Sequence, residues 1–360
     1  MIIFALLNGN KRLESGTNFK KNTKAMRDTQ LDAYRSLSMM YIVCIIHLVY
    51  WQDLGNEPLK SLILIEMPVI FFISGASLSL KTSNKTFIDT LKNRTKRVLL
   101  PYYIYAAIMV LFVATMTLFT KRQGYDITSY TLKDITDILL GNEIPQSPYS
   151  KHLWFVMPYM ILSCLFVLHQ KALAKVKHTP YIIANIIAFI LIQHFSKDEL
   201  LRHIFCYNIF MLAGYCYYRK LSKKVILGIL LTATTGTLAL HYLTDIRFTP
   251  MQDHKFPADI MFLCYTTAAL CFLSLIFSYI KIPYKGVITT WNSRGYTIYL
   301  WQNIIFFAAG GIDYGLSPHI GRGVLLVCIL IAFIFTASTL LSYATYPFEK
   351  FITSKVKFLD

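Results

Sequence analysis

Between Tyr34 and Trp51 the chain reads YRSLSMMYIVCIIHLVYW, an apolar run with Arg35 near its start, His47 near its end and Asp32 just ahead of it. An imidazole of ordinary pKa, about 6.5, placed in an apolar span could belong to an active site. In a helix rising about 1.5 Å per residue, Arg35 and His47 lie roughly 18 Å apart along the axis. That is too far for direct contact but within reach of a cofactor arm. At about 100° per residue, Ser36, Met40, Val43 and His47 fall near one face, with Arg35 off to one side. The next apolar run carries Glu66. An intramembrane carboxylate costs on the order of 3 kcal/mol unless paired or solvated. A His47–Glu66 pair relieves that cost and orients the imidazole. The alternative is that both side chains lie in the interfacial layer and face water.

Further along, NRTKR places Arg94 and Arg97 three residues apart, on one face of a helix. Two guanidinium forks suit phosphate binding, either of a nucleotide cofactor or of lipid headgroups that fix topology. Trp154, in KHLWFVMPYM, is either a belt aromatic or a stacking platform for a sugar ring. Ser74 and Gly75, in FISGASLSLK, are small enough for close helix contact. The segment HKFPADI, with Lys255, stands at the entrance to a later span.

These residues need a framework, and the composition supplies it. The chain has 360 residues, 55% of them hydrophobic and only 15% charged. Apolar runs of roughly 20 residues suit a hydrocarbon core of about 30 Å. About ten such runs are present, at 34–51, 60–80, 98–119, 153–169, 180–195, 203–218, 225–243, 258–280, 296–311 and 322–346. The class is therefore an all-α polytopic membrane protein, its spans in one bundle. The net charge of +17 follows the topology: the segment before the first run and every even-numbered exit are basic. The positive-inside rule then places both termini in the cytoplasm. No basic stripe with interleaved stacking aromatics marks a soluble domain, so nucleic acid is not expected as a partner. The expected division is a basic cytoplasmic segment at 1–30, a membrane domain at 31–350 and a cytoplasmic tail at 351–360. The seven cysteines form no CxxC pair and no cluster with histidine, so they are expected as core residues, and no metal is expected.

In their order along the chain these segments resemble the integral-membrane acyltransferase 3 family, which includes O-acetyltransferases of bacterial polysaccharides and fucose 4-O-acetylase-like proteins. DAYRSLSMMYIVCIIH resembles the family's Asp-x-x-Arg start and span ending in His, matching Asp32, Arg35 and His47. PVIFFISG, RTKRVLLPY and HLWF match further segments through Ser74, Gly75, Arg94, Arg97, Pro101, His152 and Trp154. GYTIYLWQ resembles a late Ser-Tyr-x-x-Tyr-Leu-x-His segment, and YPFEK, with Glu349, the closing one. Two positions depart from the pattern. Pro68 stands where many members carry an acidic residue, so that role is absent or falls to Glu66. Gln302 replaces the late histidine, and no proton transfer is assigned to it.

The resemblance implies transfer of an acyl group, most simply acetyl from acetyl-CoA, to a hydroxyl of a cell-surface or lipid-linked glycan. It implies a multi-pass protein of a bacterial plasma (inner) membrane, in contact with its lipids. Arg94 and Arg97, with Arg35, would hold the donor phosphates. His47 would act as base or form an acyl-imidazole, and Glu66 would orient it. Trp51, His152, Trp154 and Lys255 are expected on the acceptor side. A transporter or flippase for lipid-linked glycans, using the intramembrane His and Glu for proton coupling, is the rival reading.

Overall fold

A computed structural model of the chain describes residues 28–81, 86–120, 126–141, 143–147, 150–243 and 249–356. Most of the expected basic segment at 1–30, and the end of the tail from 357 on, lie outside the described residues. The described residues form helices and no strand. In chain order the helices are α1 (Thr29–Trp51), α2 (Glu57–Ser79), α3 (Phe87–Phe119), α4 (Leu132–Leu139), α5 (His152–Leu173) and α6 (His178–Phe195). They continue with α7 (Glu199–Tyr217), α8 (Lys223–Leu243), α9 (Met251–Lys255), α10 (Ile260–Phe277), α11 (Val287–Ile320) and α12 (Val324–Ser354). Eight of these, all except α4, α7, α9 and α11, are long and apolar enough to cross a membrane. The fold is that of an all-α polytopic membrane protein.

The run expected at 296–311 is part of α11, a helix of 34 residues. Its further length is masked in the sequence by Asn292 and Arg294 before the run and Asp313 after it, while Gln302, Asn303 and Asp313 are buried and bonded within the protein. Asn303 donates to the Tyr105 hydroxyl, and Asp313 Oδ2 accepts from Arg322 Nη2 at 2.6 Å. The loop after α3 holds α4, opened by a capping box in which Thr131 and Asp134 satisfy each other's backbone N–H groups. Cys44, Cys164, Cys206 and Cys216 are buried as free thiols, as expected of core residues.

The chain forms two compact units. The first draws its described residues from Met1–Ser38, Gly55–Asn84 and Gln170–Ile288. Within it α2 packs on α7 at very short range. A Cβ added to Gly75 would overlap the Met211 carbonyl, and one added to Gly214 would overlap the Phe72 carbonyl. Only glycine permits such an approach, which replaces hydrophobic drive with dispersion contact between helices in lipid. Phe71 stacks on Tyr207 beside this crossing, with centroids 4.9 Å apart. Asn208 Nδ2 donates to Asn185 Oδ1 at 3.0 Å, tying α7 to α6.

The second unit draws on Met39–Leu54, Lys85–His169 and Thr289–Asp360. Its core joins Val43, Cys44, Leu48 and Leu54 to Ile298, Ile305 and Phe306 of α11 and to Leu326, Leu330 and Ile334 of α12. Trp291 stacks on Phe335 and donates Nε1 to Thr339 Oγ1 at 2.9 Å, fixing α11 against α12. Two helices of this unit carry a π turn, Ile42–Ile46 in α1 and Thr95–Leu99 in α3. Such turns are rare and often mark functional positions.

Gly75→Val should force the α2–α7 crossing apart and destabilise the protein by about 1–3 kcal/mol or more. Gly228→Ala, which meets nothing within 4 Å, should be neutral. Thermal unfolding in detergent compares the two; equal midpoints would remove the close approach from the account.

Candidate active site

His47 is the first residue after the π turn of α1. The wider turn changes the angular count, so the face drawn at 100° per residue through Met40, Val43 and His47 is broken at Ile42. Val43 is fully buried in the apolar core, whereas His47 is only partly buried and meets polar and aromatic side chains. Its ring lies parallel to that of Trp51, one turn on, at 4.4 Å between centroids and 3° between planes. Phe306 packs edge-on against Trp51 at 4.6 Å. His47 Nδ1 lies 2.7 Å from Gln302 Oε1.

The short 3₁₀ turn Ser150–Phe155, which forms the start of α5, brings His152 to the same place. The His152 ring is 5.9 Å from His47 and 5.4 Å from Trp51, in edge contact with both. Its backbone carbonyl accepts from the Tyr299 hydroxyl. Trp154, expected as a sugar platform, lies half-buried in the same turn. His47, Trp51 and His152 are thus brought together, and α11 supplies the rest of the site. Tyr299, Gln302 and Phe306 follow each other at three and four residues, the spacing of one helix face.

From His47 a row of rings leads to Arg94. Tyr299 is 5.6 Å from His47 by ring centroids, Phe155 is 4.7 Å from Tyr299, and Tyr159 is 6.3 Å from Phe155. Arg94 Nη1 donates to the Tyr159 hydroxyl at 2.9 Å. Tyr296 joins the row against Phe155 and donates to the Val98 carbonyl at 3.0 Å, holding α11 to the π turn of α3. That turn begins directly after Arg94, so the three-residue spacing no longer sets Arg94 and Arg97 on one α-helical face. Arg94 is half-buried and Arg97 is exposed. Below the row, Glu349 of α12 accepts from Thr297 Oγ1 at 2.6 Å and from Trp301 Nε1 at 2.7 Å.

The other expected residues belong to the first unit. Arg35 binds Asp32 Oδ1 through Nη1 at 3.2 Å and Ser77 Oγ through Nη2, so the Asp-x-x-Arg spacing is a local ion pair. Glu66, expected to orient His47, is bonded instead to Lys255 through Oε1, and its buried Oε2 has no hydrogen-bond partner. Lys255, expected to face an acceptor, is buried, and its backbone carbonyl accepts from His203 Nε2 at 2.8 Å. Next to it His254 Nδ1 meets Asp259 Oδ2 at 2.7 Å, and that hydrogen bond lifts the imidazole above its ordinary pKa. Burial explains both reassignments: a Lys and a Glu removed from water must neutralise each other.

The sequence pattern of the family described as "Acyltransferase domain" matches residues 28–346. The chain belongs to the acyltransferase 3 family. No curated protein and no solved structure matches it. In this multi-pass membrane acyltransferase His47, Arg94 and His152 fall in one compact unit, whereas Asp32, Arg35, Ser74 and Gly75 belong to the other. Sequence reading did not pick out Tyr159, Tyr296, Tyr299 or Gln302 as site residues. The signal was present in GYTIYLWQ, where Tyr296, Tyr299 and Gln302 recur every three residues beside Trp301.

In this acyltransferase Lys255→Met should leave Glu66 buried without its cation and destabilise the protein by about 3–5 kcal/mol. Adding Glu66→Gln should recover most of that loss. Thermal unfolding of the single and double variants decides it; a single variant as stable as the wild type would show that the pair is not the constraint on these residues.

Proposed function

We propose that the protein transfers an acetyl group from acetyl-CoA, on the cytoplasmic side of a bacterial inner membrane, to a hydroxyl of a cell-surface or lipid-linked glycan. The observation that carries this reading is the unbroken row Arg94, Tyr159, Phe155, Tyr299, His47 within one compact unit. An acyl-CoA has the matching shape: phosphates at one end, a long thin arm and a thioester at the other. Arg94 and Arg97 offer guanidinium groups to the phosphates. The arm would run along the rings to His47, which sits against Trp51 and His152.

There, His47 acts as general base. The acceptor hydroxyl gives its proton to the imidazole while its oxygen attacks the thioester carbonyl. The carbon–sulfur bond then breaks, and the departing thiolate takes the proton back from the imidazolium. The neutral imidazole is regenerated, and the products are the acetyl ester and free CoA. Trp51, half-buried with His152 against its edge, gives the acceptor side an aromatic ring of the kind sugars stack on. Both termini lie in the cytoplasm in this reading, as the basic exits require.

The test is transfer of label from radiolabelled acetyl-CoA to cell-envelope glycan by the purified protein in nanodiscs. His47→Ala should lower kcat by about 10²–10⁴-fold without loss of folded protein. The double variant Arg94→Ala, Arg97→Ala should raise the donor KM by about 10- to 100-fold. Glycan movement across the bilayer without label transfer would replace the enzyme by a transporter, and full activity of His47→Ala would remove the base.

A further inference from the structure

We infer that Gln302 is a positioning residue that fixes the tautomer of His47, with the proton on Nδ1 and the lone pair on Nε2. The inference rests on the reading of His47 as base, and it says which of the two ring nitrogens does that work.

A contact of 2.7 Å between His47 Nδ1 and a glutamine side chain is ambiguous by itself. An amide presents an acceptor at Oε1 and a donor at Nε2, and either end can meet a ring nitrogen. The far end of the amide resolves the ambiguity. Gln302 Nε2 lies 2.8 Å from the Tyr299 backbone carbonyl, which can only accept. The nitrogen must therefore point to Tyr299 and the oxygen to His47. Reversing the amide would set two acceptors face to face, and with Gln302 fully buried no solvent relieves that. The carbonyl that sets this polarity is held too, because the Tyr299 hydroxyl donates to the His152 carbonyl.

An amide oxygen facing Nδ1 requires a proton on Nδ1. In the neutral ring the lone pair then lies on Nε2, which makes Nε2 the nitrogen that takes the proton when His47 acts as base. Ring rotation is limited in the second direction by Trp51, whose face is parallel to the imidazole within 3°. The indole fixes the plane of the ring, and the amide fixes its orientation within that plane. When Nε2 takes the acceptor proton, Nδ1–H keeps the same partner, so the transfer needs no rearrangement of the site. This is the logic of a base oriented by a third group, with a neutral amide in the orienting position.

The direct test is ¹⁵N NMR of the full-length protein in nanodiscs with labelled histidine, at a pH where His47 is neutral and with His47→Gln used to assign its signals. The wild type should show His47 with a protonated Nδ1 and a bare Nε2. Gln302→Met should give a mixture of tautomers and lower kcat by about 100-fold, with the donor KM changed less than about twofold. Gln302→Glu, which when protonated toward the Tyr299 carbonyl keeps an acceptor toward Nδ1, should retain the wild-type tautomer and recover part of the rate. A wild-type His47 protonated on Nε2 would overturn the inference, and so would an unchanged tautomer and kcat in Gln302→Met. Should Gln302→Met fail to fold, the wild-type spectrum and Gln302→Glu still decide the tautomer. The spectrum does not depend on turnover, so a protein with the expected tautomer and no acyl transfer would sink the proposed function alone.

Discussion

In hydrocarbon a polar side chain has no water to bond with, so each buried donor and acceptor must find its partner within the protein. Much of the second unit follows from that constraint. Glu349 is held by Thr297 and Trp301, Asn303 by Tyr105, and Gln302 lies between Tyr299 and His47. All three polar residues bond to or from α11, a helix whose long polar-studded course is stable only because those bonds are made. The same bonds align α11 with α12, α3 and the second half of α1. The His47 ring and the helices that carry it are thus positioned by one set of interactions.

The constraint also explains which parts of the structure were legible in the sequence. Hydropathy and charge located the apolar helices, since a bilayer demands the same length of apolar chain wherever it is crossed. They clipped α11, because Asn292 and Arg294 before the apolar run and Asp313 after it read as its limits, although Asp313 is in fact paired. The apolar reading of Gly75 as a close-contact residue holds, and its counterpart Gly214 needed the fold to be seen. The two π turns carry no sequence mark, and they altered the face counts at His47 and at the Arg94–Arg97 pair.

The candidate site was legible to about the same depth. His47, Trp51, His152 and Arg94 stand out by residue type, and the structure brings them into one unit. Which carboxylate or amide attends His47 was not readable, because pairing between distant segments depends on packing. Glu66 was the natural partner by charge, yet the fold gives it Lys255, and the neutral Gln302 attends the imidazole instead. A buried carboxylate beside His47 would bring a second ionisable group into the site, whereas an amide orients the ring without adding charge.

In the proposed reaction an acyl donor lies along the rings from Arg94 with its acyl end at His47. A photoreactive acyl-CoA carrying a diazirine on its acyl chain tests this directly, with the crosslinked residues located by peptide mass spectrometry. Crosslinks are expected on Trp51, His152, Tyr299 or Phe306, lost when excess acetyl-CoA competes. Competed crosslinks confined instead to the segments that carry Arg35, Glu66 and Lys255 would contradict it.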